Sequence, residues 1–484
     1  MISDGAGFNA FHAASYFEHG KLGEQPYDRF PVHLACTTYM LNFVDAEGRL
    51  LPATRDGSVP EGAVGPRPQF YDPHAMWSDF TYAMGETPYL AFTDSAAAAT
   101  VLYTGRKTTD GRLGLDWSAT RELTSIAEVG HALGKATGVV TSVQASHATP
   151  AAMWSHEPSR RNYPAIFNKM LFNSGLDVIM GAGHPWHGDD GQLQHDDDGK
   201  PKPQKDGADY VGGWDTWNAM VAGKAPRNLR FIESRADFER LARGEGELPG
   251  GVVGIAQAHT TLQYNRPGSA WQAEDPLNDN VPSLPTMALA ALNVLSRNPE
   301  GFVLMIEGGA VDWANHGNNL MRMLDEQVDF NRAVGAVVQW IEANGGWEET
   351  LLIVTSDHEC GMLWGPGTYT DVDGNGRFDP ETDKFLGWKP VENRGRGQLP
   401  GVQYASRNHS NVLVPLWAHG RGAALFEQLA DGVDAKAGEL WGFDGRYVDN
   451  TDVFTVMRAA VAPVIMPSAA RPAMEPSAQP ATAP

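Results

Sequence analysis

Five separate stretches of this chain offer carboxylates or imidazoles at the borders of apolar runs. Glu307 follows Val303-Leu304-Met305-Ile306, and Asp357 and His358 follow Leu351-Leu352-Ile353-Val354-Thr355-Ser356. Asp4 precedes Gly5-Ala6-Gly7, and His409 lies just before another apolar run. Asp312 and His316 are four apart, so they share one face if that segment is helical. Carboxylate and imidazole donors together suit zinc, whereas all-oxygen sets suit magnesium. Taken singly, each pair also reads as a helix cap with a hydrogen-bonded loop histidine. Their joint occurrence is what points to a metal centre.

A nucleophile is available as well. Thr93-Asp94-Ser95-Ala96-Ala97-Ala98-Ala99-Thr100 sets a serine before a run of small residues. Ser95 either caps an Ala-rich helix or stands at its N-terminus, where free N–H groups and the helix dipole favour an oxyanion or a phosphate.

Such groups need a scaffold that brings them to one place. Residues 137–143, 302–306, 351–355 and 412–418 read as buried strands. Residues 284–297 and 331–344 carry apolar positions at helical spacing, the second with Val334, Val337, Val338 and Ile341 and a stop at Gly345. Strands alternating with helices predict an α/β fold with a doubly wound, mostly parallel central sheet flanked by helices. Open sheets of that kind hold ligands outside the carboxyl ends of their strands. One folded unit over 1–466 is expected, with polar surface insertions near 184–214 and 365–401. Residues 467–484, rich in Pro and Ala, are expected to be disordered. Only Met1, Ile2 and Ser3 precede Asp4, too few for an ordinary strand, so an apolar β-branched run and a secretory leader are expected upstream of Met1.

The chain has 484 residues with 37 basic and 59 acidic side chains, a formal charge of −22. That balance argues against nonspecific nucleic-acid binding and against docking to an anionic membrane. No apolar run is long enough to span a bilayer. Two cysteines, Cys36 and Cys360, cannot build a cysteine-based zinc cluster, and whether they pair is not readable from sequence.

From Asp4 to about Gly420 the chain resembles the alkaline phosphatases. The resemblance is carried by Ser3-Asp4-Gly5-Ala6-Gly7, Thr93-Asp94-Ser95-Ala96-Ala97, Ala148-Thr149-Pro150-Ala151-Ala152 leading to Ser159-Arg160, and Glu307-Gly308-Gly309. Asp312 to His316, Thr355-Ser356-Asp357-His358 and Asn408-His409 complete it, in the family's order. The resemblance implies a phosphate monoester hydrolase with two zinc ions and one magnesium, periplasmic or secreted, and often a homodimer. It implies that Ser95 is the nucleophile and Arg160 the group that grips phosphate. It further implies that Asp312, His316 and His409 hold the first zinc, that Asp357, His358 and Asp4 hold the second, and that Asp4, Thr149 and Glu307 hold magnesium.

Charge supports that assignment. Asp4, Glu307, Asp312 and Asp357 against Arg160 leave the site at −3, which repels phosphate, whereas three divalent ions reverse it to +3. Beside these ligands, His147 and Trp313 stand where the best-known enterobacterial enzymes resemble Asp and Lys, which predicts weaker phosphate retention here. Separately, Asp371, Asp373, Asn375 and Asp379 alternate as in a calcium loop, with Gly376 sixth and Thr382 in place of the usual twelfth Glu. Glu381 or Asp383 is the available substitute, and a solvated acidic turn is the other reading. A phosphodiesterase or related hydrolase of the same superfamily, or an inactive phosphate-binding homologue, are the alternative functions.

Overall fold

The computed structural model describes residues 1–52, 54, 56–85, 92–268 and 275–461; the tail expected at 467–484 lies outside them. Its centre is an eleven-stranded sheet. Numbered in chain order, the strands are β1 (Ile2–Ser3), β2 (Val32–Cys36), β3 (Ala136–Gln144), β4 (Val178–Ala182), β5 (Arg230–Ile232) and β6 (Val252–Ile255). They continue with β7 (Phe302–Gly308), β8 (Leu351–Thr355), β9 (Val414–Gly420), β10 (Gly432–Val433) and β11 (Arg446–Val448). The spatial order is β10-β11-β2-β9-β8-β1-β7-β3-β4-β6-β5. β8, β1, β7, β3, β4, β6 and β5 run parallel, while β9 is antiparallel to both β8 and β2.

The apolar runs are continuous because both faces of the sheet are covered. Side chains alternate between the faces. Val140, Ile306 and Val354 pack in one core with Phe11, Leu292 and Phe330, whereas Val139, Met305 and Ile353 pack in the other with Leu102, Ile126 and Phe167. Four helices matter below: α1 (Ser95–Thr104), α2 (Leu284–Leu295), α3 (Ala310–His316) and α4 (Leu320–Ala343). The doubly wound, mostly parallel expectation holds.

Two elements differ most from the sequence reading. The helix expected at 331–344 is the second half of α4, which starts at Leu320. The strand expected at 412–418 is β9, shifted to Val414–Gly420 and reversed against its neighbours. That reversal is useful. The segment before an antiparallel strand lies on the same edge as the segments that follow parallel ones, so His409 meets the residues after β1, β7 and β8.

β1 occupies the middle of the sheet with two residues. Ile2 pairs with Glu307 and Thr355, and Ser3 with Gly308. The Met1 nitrogen donates to the Ile353 carbonyl at 2.6 Å. Among the described residues no helix is long and apolar enough to cross a membrane.

Candidate active site

Ser95 opens α1, but it does not cap it. Asp94 is the N-cap, accepting the Ala97 amide at 2.9 Å, which leaves the serine hydroxyl to face the site. Ser95 Oγ lies 3.2 Å from Nε2 of His358. Asp94 also accepts from Nη1 of Arg160 at 2.8 Å. Burial opposes charge on both partners, yet each holds the other ionised: Arg160 keeps the Asp94 carboxyl below its ordinary range, and Asp94 raises the guanidinium above its own. Asp110, close to Asp94, is pushed up to about 7 by that neighbour and by burial. A cavity beside these groups is lined by Thr54, Asp94, Asp110, Arg160, Arg161 and Tyr163.

The first predicted metal set comes together on the sheet edge. α3 turns Asp312 and His316 to one side, with His316 Nε2 at 3.4 Å from Asp312 Oδ2. His409 Nε2 lies 3.3 Å from Asp312 Oδ1 and 3.1 Å from His316 Nε2. Both imidazoles are oriented from behind. His316 Nδ1 donates to the Arg407 carbonyl at 2.5 Å, and His409 Nδ1 donates to the Thr93 carbonyl at 2.7 Å. A carbonyl accepts only, so these bonds fix the tautomers and aim both Nε2 lone pairs inward, as metal-bound histidines require. Two such nitrogens at 3.1 Å repel unless a proton or a cation lies between them.

The second set gathers around His358, which is stacked on His409 at 3.6 Å. Its Nε2 is 3.1 Å from Asp357 Oδ2 and 3.6 Å from Asp4 Oδ1. Asp312 reaches this group too, since Asp4, Asp312 and His358 offer ligand atoms within 4.8 Å of one another. The third set adjoins it: Thr149 Oγ1 donates to Asp4 Oδ2 at 3.3 Å. Glu307, at the end of β7, accepts from Thr141 at 2.5 Å.

Gly5 makes this convergence possible. It holds φ +70, and a Cβ there would stand 2.7 Å from Asp312 Cα and Oδ1. Only glycine tolerates both the conformation and the approach. Its amide donates to Asp357 Oδ1 at 3.2 Å, and its carbonyl accepts from Asn315 at 3.0 Å.

These residues fit divalent cations on physical grounds. Asp4 Oδ1, Asp312 Oδ1, Asp357 Oδ2 and His358 Nδ1 are buried without a hydrogen-bond partner. Burial, then mutual repulsion, pushes Asp4 well up, Asp357 up to about 6 and Glu307 up to about 7. Asp312 goes the other way, because His316 and His409 outweigh its burial. A buried group of acids this close is costly unless cations neutralise it.

Sequence reasoning missed three residues here. Asp94 was read only as part of a motif, although an acid immediately before an Ala-rich run is an N-cap signal. Asp110 carried no signal. Cys360 is considered in the sequence only for pairing and for a cysteine-only cluster, yet it is free and fully buried beside Asp312, His316 and His409. Burial, then Asp312, pushes its thiol well up. Cys36 is also free, in β2, where its thiol donates to the Thr37 carbonyl at 3.5 Å.

His147 and Trp313 do stand together, ring centroids 5.3 Å apart, with Tyr163 stacked on His147 at 5.5 Å. Burial, then Arg160, lowers His147 to about 3, so it is neutral at physiological pH. In the calcium-like loop, Asp371 and Asp373 accept the Asn375 amide at 3.0 and 3.3 Å, and Asn375 Oδ1 accepts from Arg377. Asp383, rather than exposed Glu381, turns inward and accepts the Val372 and Asp379 amides, each at 2.9 Å. The backbone thus takes up these carboxylates.

A sequence model of the alkaline phosphatases matches residues 74–461. The chain belongs to the alkaline phosphatase family. It is 28% identical to the human tissue-nonspecific alkaline phosphatase over 362 residues, 67% of this chain and 63% of that protein. It is 29% identical to alkaline phosphatase 4 of Bacillus subtilis over 282 residues, 57% of this chain and 51% of that one. The matches thus span half to under two thirds of these relatives' lengths. A cold-active alkaline phosphatase from the psychrophile Shewanella shares the fold, with TM-score 0.60, 21% identity, and 96% and 99% of the two chains covered. Asp4 lies outside the stretch that the alkaline phosphatase model matches, and it enters the site through β1.

Proposed function

We propose that this protein hydrolyses phosphate monoesters through a phosphoserine intermediate at Ser95, with two zinc ions and one magnesium. The observation that carries this reading is Ser95 Oγ at 3.2 Å from His358 Nε2, on the edge of a buried cluster in which Asp4 Oδ1, Asp312 Oδ1, Asp357 Oδ2 and His358 Nδ1 lack a hydrogen-bond partner. Asp312, His316 and His409 would hold one zinc, Asp4, Asp357 and His358 the other, and Asp4, Thr149 and Glu307 the magnesium. Bound there, the ions supply the positive charge that acidifies the serine hydroxyl and stabilises the departing oxygen.

The chain's own residues do the rest. Ser95 sits at the first turn of α1, where amide dipoles favour the charge on phosphate. Its oxygen attacks phosphorus in line, and the ester oxygen leaves on the opposite side. Arg160, preset by Asp94, can grip two equatorial oxygens with its planar fork. Thr141 and the Ser142 hydroxyl, which accepts the Gly309 amide at 2.9 Å, hold the end of β7 in register with β3. Water then attacks the phosphoserine in a second in-line step and frees the hydroxyl.

The test is trapping. Acid quench of the protein with a labelled monoester should leave phosphate on Ser95, and Ser95→Ala should lose the label and roughly 3 or more orders of magnitude in rate. Label on another residue, or a Ser95→Ala variant as fast as its parent, overturns the reading.

A further inference from the structure

The register of a small ladder puts a sulfur beside the first metal set. Glu359–Cys360 pairs antiparallel with His409–Ser410, and Cys360 is directly opposite His409. Directly opposed residues send their side chains to the same face, with Cβ atoms roughly 4.5–5.5 Å apart. The Cys360 amide is held on the Gly5 carbonyl at 3.1 Å, tying the strand to the turn after β1. Donor atoms of Asp312, His316, Cys360 and His409 accordingly lie within 4.8 Å of one another. Cys360 is 0% exposed, and Asp312 Oδ1, 3.3 Å from His409 Nε2, is buried without a hydrogen-bond partner.

We propose that Cys360 is a fourth protein donor to this site, giving the ion an Asp–His–Cys–His set in place of Asp–His–His. The inference rests on the two-zinc reading above. Zinc accepts sulfur, nitrogen and oxygen together, and it expands to five-coordinate, so four protein donors still leave one position for phosphate or water. Thiolate also selects against magnesium and calcium, which take oxygen. Coordination removes the thiol proton, which passes to solvent as the metal–sulfur bond forms. Cys36, in β2 and bonded to the Thr37 carbonyl, belongs to neither metal group found among the described residues.

Cobalt(II) replaces zinc and reports its ligands by colour. Metal-stripped full-length protein loaded with cobalt should show a sulfur-to-cobalt charge-transfer band in the near ultraviolet. Cys360→Ser should lose the band and bind zinc about tenfold or more weakly. Cys36→Ser, which keeps Cys360 as its single thiol, should retain the band in full, and it guards against a Cys360 variant that fails to fold. Cobalt uptake without the band, or a band unchanged in Cys360→Ser or lost in Cys36→Ser, overturns the sulfur donor and leaves the two-metal reading standing. No cobalt uptake at all overturns both.

Discussion

Asp94 accepts a hydrogen bond from Nη1 of Arg160 at 2.8 Å with one carboxylate oxygen, while its other oxygen accepts the Ala97 and Gly111 amides at 2.9 and 3.1 Å. One side chain therefore fixes both the start of the serine helix and the orientation of the guanidinium. Asp94→Asn separates the two tasks. The amide oxygen can still cap α1, but the charge that holds Arg160 is gone. Helix content should stay within error, and the inhibition constant for inorganic phosphate should rise roughly tenfold, the size of one charged hydrogen bond. Unchanged phosphate inhibition would show that Asp94 does not set the clamp.

What the sequence carried, and what it hid, follows from the range of each interaction. The ligand motifs were legible because each is local: Asp312 and His316 sit one helical turn apart, and Asp357 and His358 are adjacent. Cys360 was not, because its value depends on a ladder that joins it to His409, 49 positions away. The first half of α4 was missed for another reason. Arg322, Glu326 and Gln327 are all at most 2% exposed, so polar side chains occupy core positions and erase the apolar period. Strand direction left no trace either. The run that became β9 is as apolar as its parallel neighbours, and only the sheet reveals that it runs the other way.

Metal removal should be decisive for activity. Dialysis against a strong chelator should abolish hydrolysis of a chromogenic monoester, and zinc with magnesium should restore it. The stripped protein should also unfold at lower urea, because Asp4, Asp357 and Glu307 then face one another without counter-charge. Full activity in protein shown to be metal-free by elemental analysis would rule out the mechanism.

Trp313, half-buried on α3 next to Asp312, brings no charge to the phosphate site, and neutral His147 beside it brings none. Trp313→Lys adds one cation beside His147, which stacks on the cavity-lining Tyr163. Inorganic phosphate should then inhibit more tightly, by roughly two- to fivefold for a partly solvated pair, with slower product release. The gain should fade in high salt. If phosphate inhibition weakens instead, the tryptophan is packing that orders His147 and Tyr163.

Away from the site, Glu326 gives the chain a pH-dependent strain. It is 2% exposed, its carboxyl accepts the Tyr264 amide at 2.7 Å, and burial, then Asp329, raises it from 4.5 to about 8. Between those values the folded protein keeps the proton that the unfolded chain releases. Stability from this group is therefore complete below about 4.5 and is lost as pH rises toward about 8. Glu326→Gln keeps an oxygen for Tyr264 and has no charge to bury. With saturating zinc and magnesium, its gain in unfolding free energy over the parent, read from urea titrations, should be small near pH 5 and grow to an amount on the order of a few kcal/mol at pH 8. A constant difference across that range would mean that water or a neighbouring arginine already satisfies the carboxylate.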